Sequence, residues 1–134
     1  MIESKTRRLK ELYEQRMQLN AEMAQLLHEG NQMEVQDYPL KDAEGNPTRL
    51  SEVFGEHDKL VLVHNMGKSC PYCTMWADGL NGLYHYVEKG FDGTAARFIL
   101  VNNDEPEEIK KFANSRGWNF DCYSCRGTSL FMDL

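Results

Sequence analysis

Four cysteines fall in two Cys-x-x-Cys pairs, Cys70 with Cys73 and Cys122 with Cys125. They are the residues of this chain best suited to chemistry. A thiol attacks as its thiolate, so its reactivity depends on what lowers its pKa. Cys70-Pro71-Tyr72-Cys73 follows an apolar run, Leu60 to Val63, and a polar hinge, Gly67 to Ser69, and it opens a segment of helical periodicity. The free N–H groups and positive dipole end of a helix favour a thiolate at its start. Pro71 suits the first helical turn, where its missing N–H costs nothing, and Lys68 adds positive charge nearby. This pattern predicts thiol–disulfide exchange. Cys70 attacks, and Cys73, one turn further in, resolves the mixed disulfide. The partner would be a protein or small-molecule disulfide or thiol, with no cofactor.

The second pair opens another reading. Four thiolates can hold zinc tetrahedrally, or an iron–sulfur cluster. The spacer from Cys73 to Cys122 is longer than a zinc ribbon's and holds a helix, a strand and a helix. Without metal, Cys122 and Cys125 would be an auxiliary dithiol. Around the first pair, His64 ends the preceding strand and could act as a base near neutral pH. Tyr72 stands where a partner would touch, and Trp76 reads as core. Asp78 and Asn81 suit polar contacts to a loop, and Asp104 and Glu105 read as helix-start residues.

The elements that position these residues follow from periodicity. Residues 1–34 hold one amphipathic helix, with Ile2, Leu9, Leu12, Leu19, Met23 and Leu26 at alternating three- and four-residue steps and Lys5 and Arg16 as polar interruptions. That is a heptad-like seam, closed by Gly30-Asn31. It can dock on its own domain or pair with a second copy. Residues 35–134 form the second domain. Two short extended pieces flank the turn Glu44-Gly45-Asn46-Pro47, and Ser51 can cap a short helix closed by Gly55. Leu60 to Val63 reads as a buried strand. One helix runs from Cys73 past Val87, with Gly79 and Gly82 allowing close packing, to a stop at Gly90. Phe98 to Val101 is a second buried strand, Pro106 starts a helix that Gly117 ends, and Trp118 to Cys125 holds a third strand. Strand–helix alternation implies a parallel α/β sheet with its site at the strands' carboxyl ends, where all four thiols could gather.

Composition narrows the partners. A net charge of -6 leaves no basic stripe for nucleic acid. No run is long enough to cross a bilayer, and no signal peptide is visible, so a cytoplasmic protein is expected.

Tyr38-Pro39-Leu40-x-Asp42-x-x-Gly45, Leu50-Ser51-x-x-Phe54-Gly55, and above all the unbroken stretch from His64 to Gly82 resemble a bacterial thioredoxin-like family catalogued as domain of unknown function 899. Ser115-Arg116-Gly117-Trp118-x-Phe120 continues the resemblance, which covers most of residues 35–132. It implies a thioredoxin-like sheet flanked by helices, related to peroxiredoxins. Two features depart from that pattern. Family members tend to carry serine at the positions of Cys122 and Cys125. No proline follows Pro106, so the cis-proline and terminal hairpin of a complete thioredoxin-like sheet are not expected. An open edge invites pairing, and a homo-oligomer through that edge or the first helix is expected. Peroxiredoxins usually place a threonine three residues before their reactive cysteine. Here Gly67 holds that position, and Arg126 is the one arginine that could serve a peroxidatic thiol.

Overall fold

The computed structural model describes residues 1–30, 33–90 and 95–134. Asn31, read as part of a helix stop, lies outside them. The chain divides into two units, Met1–Val35 and Gln36–Leu134. The first is built on one helix, α1 (Ile2–Gly30), in which no residue is buried. Among the described residues no helix is long and apolar enough to cross a membrane.

The second unit is a five-stranded sheet. Its strands are β1 (Pro39–Asp42), β2 (Pro47–Arg49), β3 (Leu60–His64), β4 (Arg97–Asn102) and β5 (Asp121–Ser124), in the order β2-β1-β5-β4-β3. β3, β4 and β5 run parallel, as βαβ connections require. β1 is antiparallel to β2, to which a tight turn joins it, and also to β5. The sheet is therefore mixed rather than wholly parallel. Phe98, Ile99, Leu100 and Val101 are all nearly inaccessible, so β4 is buried on both faces, which explains its unbroken apolar sequence.

Alternate side chains of β4 feed two cores. Phe98 and Leu100 pack with Phe120, Cys122 and Trp118 beneath α3 (Pro71–Leu80), α4 (Tyr84–Lys89) and α5 (Pro106–Arg116). Ile99 and Val101 pack with Leu40 on the opposite face, beneath α2 (Leu50–Val53) and α6 (Leu130–Asp133).

Several expectations are corrected here. β3 is not a buried strand. Among the described residues it pairs only with β4, and Val61 and His64 on it are exposed. Its run is apolar because Leu60 and Leu62 serve one core while Val63 serves the other. No strand follows β5 among the described residues, so β3 holds the sheet's edge. The helix after Cys70 is broken: α3 ends at Leu80, a turn spans residues 81–83, and α4 begins at Tyr84. Gly79, in the last turn of α3, and Gly82, in the break, are both exposed; an added Cβ would meet open space at Gly79 and only the Gly79 carbonyl at Gly82, so neither serves close packing. Ser51 does not cap α2. Its N–H and hydroxyl both donate to the Asp37 carboxylate, which ties residue 37 to the helix start and lowers that carboxyl's pKa.

Candidate functional site

Cys70 is the N-cap of α3, with an extended backbone (φ -95, ψ 107) and Pro71 opening the helix behind it. Its sulfur accepts the N–H of Cys73 at 3.3 Å. The Cys73 thiol hydrogen bond, that backbone N–H and the Tyr72 N–H together hold the Cys70 pKa below the ordinary thiol value. Burial and the hydrogen bond it gives to Cys70 push Cys73 the other way. A 3.4 Å bond from the Met66 N–H to the Cys73 sulfur offsets part of that rise. Both thiols are partly accessible and unbridged. The pair thus holds an acidic sulfur at the helix mouth and a protonated one a turn inside.

The loop between β3 and α3 is fixed by residues with no obvious reactivity. Asn65 is buried, and its N–H continues the β3–β4 ladder to the Val101 carbonyl at 3.0 Å. Its side-chain oxygen accepts the Gly67 N–H at 2.8 Å, and its amide nitrogen lies 3.5 Å from the Cys73 carbonyl. Gly67 turns the chain at φ +97, a conformation open to glycine. The Asp104 carboxylate lies against that turn and accepts the Lys68 N–H at 2.9 Å. Asp104 is therefore a brace for the cysteine loop as well as a residue near the start of α5. Asn102, also buried, accepts the Asp104 N–H at 3.1 Å. The sequence signal for these braces is polar residues set directly after two apolar strands.

The remaining predicted residues are placed as follows. The Lys68 ammonium bonds Glu108 at 2.9 Å, and Cys70 owes its acidity to backbone and thiol donors instead. Tyr72 is exposed. Trp76 is exposed as well, at 66 %, so its reading as core is wrong. The inner face of α3 is centred on Ala77 and Leu80, which pack in the core, and Trp76 stands on the solvent side of that face. His64 is exposed, with its ring 3.7 Å from that of Phe131. Arg126 is held by Glu105 at 3.1 Å and by the Asn103 carbonyl. Asp78 and Asn81 make the contacts their position suggested. Asp78 takes Arg116 and the Trp118 indole N–H at 2.8 Å, and Asn81 bonds the Gly117 carbonyl and the Asn119 N–H.

The second pair does not join the first. Cys122 is on β5 and Cys125 follows directly after its end, and the two side chains enter opposite faces of the sheet. Cys122 lies in the core beneath α5, and Cys125 lies in the other core. Burial pushes their thiols up to about 12 and about 11. The four sulfurs cannot surround one ion in this arrangement. Among the described residues no three His, Cys, Asp or Glu side chains converge as metal ligands.

No functionally curated protein matches the sequence. Among solved structures, peroxidoxin BcpB from Mycobacterium tuberculosis is similar at 25 % identity and a TM-score of 0.55, over 67 % of this chain and 55 % of that one. Peroxiredoxin Q from Xanthomonas campestris is similar at 26 % identity and a TM-score of 0.51, over 63 % of this chain and 50 % of that one. A peroxiredoxin-like protein from Aquifex aeolicus shares the fold at 18 % identity and a TM-score of 0.52, over 72 % of this chain and 54 % of that one. The chain thus spans about half the length of the structures it resembles. The sheet, α2 to α5 and the cysteine loop lie within residues 32–128, the part of the chain that matches the model of the AhpC/TSA family, and the protein belongs to that family.

Proposed function

We propose that the protein exchanges thiols and disulfides, with Cys70 as nucleophile and Cys73 as resolving thiol. The observation that carries this reading is the placement of the Cys70 sulfur on the Cys73 N–H, with the two thiols shifted in opposite directions. The Cys70 thiolate attacks one sulfur of a substrate disulfide. A Cys70–substrate bond forms, the substrate's S–S bond breaks, and one substrate thiolate leaves. Cys73 then attacks the Cys70 sulfur, its proton passing to the second departing thiolate, and a Cys70–Cys73 disulfide remains. The substrate is reduced and the protein oxidised; an external dithiol restores the starting state.

The test is stepwise trapping. Cys73→Ser incubated with glutathione disulfide should accumulate one mixed disulfide, mapped to Cys70. Cys70→Ser should accumulate none at that rate. Alkylation of Cys70 by iodoacetamide should reach half its maximal rate below the ordinary thiol pKa. Equal trapping in both variants, or modification mapped to Cys122 or Cys125, would remove the assignment.

Family membership favours peroxide as an alternative oxidant. In that case the Cys70 thiolate takes the terminal peroxide oxygen, the O–O bond breaks and the remainder leaves as alcohol or water after taking up a proton, and Cys73 condenses with the resulting sulfenic acid to give the same disulfide and a water. Gly67 supplies no hydroxyl to hold the peroxide. Peroxide consumption by the reduced protein no faster than by free thiol would leave disulfide exchange as the activity.

A further inference from the structure

We propose that α1 is a dimerisation helix that pairs antiparallel with α1 of a second copy. α1 has 29 residues, about 44 Å at the usual rise, and buries none of them. Its apolar residues are not scattered. Ile2, Leu9, Leu12, Leu19, Met23 and Leu26 fall on one heptad seam and are between 43 % and 83 % exposed. An isolated helix with such a seam lacks the packing that normally stabilises a helix in a protein. A seam repeating every 3.5 residues fits the same seam on another helix.

Charge selects the direction. Lys5 and Arg16 occupy seam positions. In a parallel, in-register pair each faces its own copy, so two layers set like charges together. The flanking residues give no relief, because Arg8 then falls beside Tyr13 of the second copy and Glu22 beside Leu27. In the antiparallel pair that overlaps the whole seam, Ile2 opposes Leu26 of the second copy and Leu9 opposes Leu19. Arg16 then lies against Leu12 of the second copy and Lys5 against Met23. The like charges are separated, and the aliphatic stems of both residues can cover the seam while their heads reach water. The same register sets Arg8 opposite Glu22 of the second copy, twice by symmetry. Arg8 already bonds Glu11 within its own helix at 3.1 Å and is exposed, so it can be shared.

The test uses the full chain, with mass read by sedimentation over a concentration series. A dimer is expected. Arg8→Glu and Glu22→Arg should each weaken it about tenfold, since two attractive pairs become two repulsive ones. The double variant should restore it, because the same pairs re-form with their signs exchanged. Leu12→Asp with Leu19→Asp should give a monomer. Both tryptophans, Trp76 and Trp118, lie in the second unit, so their fluorescence reports that unit throughout and loss of the dimer can be told from loss of the fold. A monomer at every concentration, a dimer that survives the two aspartates, or charge reversals without effect or without rescue would each overturn the proposal.

Discussion

Replacing Gly67 by alanine tests the geometry of the cysteine loop directly. At φ +97 an L-residue is strained, at a cost of about 1–2 kcal/mol. The new Cβ would also lie 2.9 Å from both carboxylate oxygens of Asp104, closer than real contacts allow. The carboxylate has to move, and its bond to the Lys68 N–H is lost. A hydrogen bond to a charged group contributes about 1.5 kcal/mol at the exposed end of the range. The total is about 3 kcal/mol. Gly45 is the control, since it sits at φ +85 with nothing within 4 Å of an added Cβ. Gly45→Ala should carry the backbone strain alone. With a urea m-value of about 1.5 kcal/mol/M, the midpoint should fall by about 2 M for Gly67→Ala and about 1 M for Gly45→Ala. Asp104→Ala in the Gly67→Ala background should cost less than the two single changes added, because the carboxylate that clashes is gone. Equal shifts for the two glycine variants, or strict additivity with Asp104→Ala, would show that Asp104 does not press on the turn.

Two further outcomes follow from the thiols. Lys68→Ala should leave the pH midpoint of Cys70 alkylation unchanged, since the ammonium is engaged by Glu108 and Cys70 takes its donors from Cys73 and Tyr72; the pH dependence of iodoacetamide labelling checks this. Cys122 is held protonated to about pH 12 in the fold, but ionises near pH 9 when unfolded, so its contribution to stability is complete below pH 9 and is lost as pH rises from there toward 12. Cys122→Ala should lower stability by about 1–2 kcal/mol at pH 8 and flatten its decline between pH 9 and 11, measured by urea unfolding at each pH.

The sequence carries some elements of this fold and hides others for specific reasons. β4 and α5 are legible because their signals are local: an unbroken apolar run, then proline and two glutamates at a helix start. β3 shows the same apolar run, yet it is an edge strand. What distinguishes the two is whether another strand lies alongside, and that is a long-range fact. The break after Leu80 is hidden because the apolar spacing continues across it, from Ala77 and Leu80 to Tyr84 and Val87, which join the same core. Leu83 is exposed because it lies in that break, whereas Trp76 is exposed because the inner face of α3 is centred on Ala77 and Leu80. The placement of Cys122 and Cys125 was legible in principle. Spacing of three brings side chains together on a helix and sends them apart on a strand. Once Trp118 to Cys125 is read as a strand, the second pair cannot mirror the first.

That contrast also explains how one chain holds four cysteines with only two in a position to react. The environment of each sulfur is set by backbone geometry more than by charged neighbours. At the mouth of α3 the N–H groups have no partner within the helix, and Cys70 is the side chain placed to meet them. On β5 the neighbouring N–H groups serve the ladder, and Cys122 meets apolar side chains. The braces around the first pair act on the same principle. Asn65 and Asp104 touch backbone N–H groups of the loop rather than a sulfur, and they fix where the chain enters α3. Gly67 makes that entry possible, and a threonine could not adopt its conformation without strain. The departure from the usual peroxiredoxin residue at this position is thus built into the turn that delivers Cys70 to its helix.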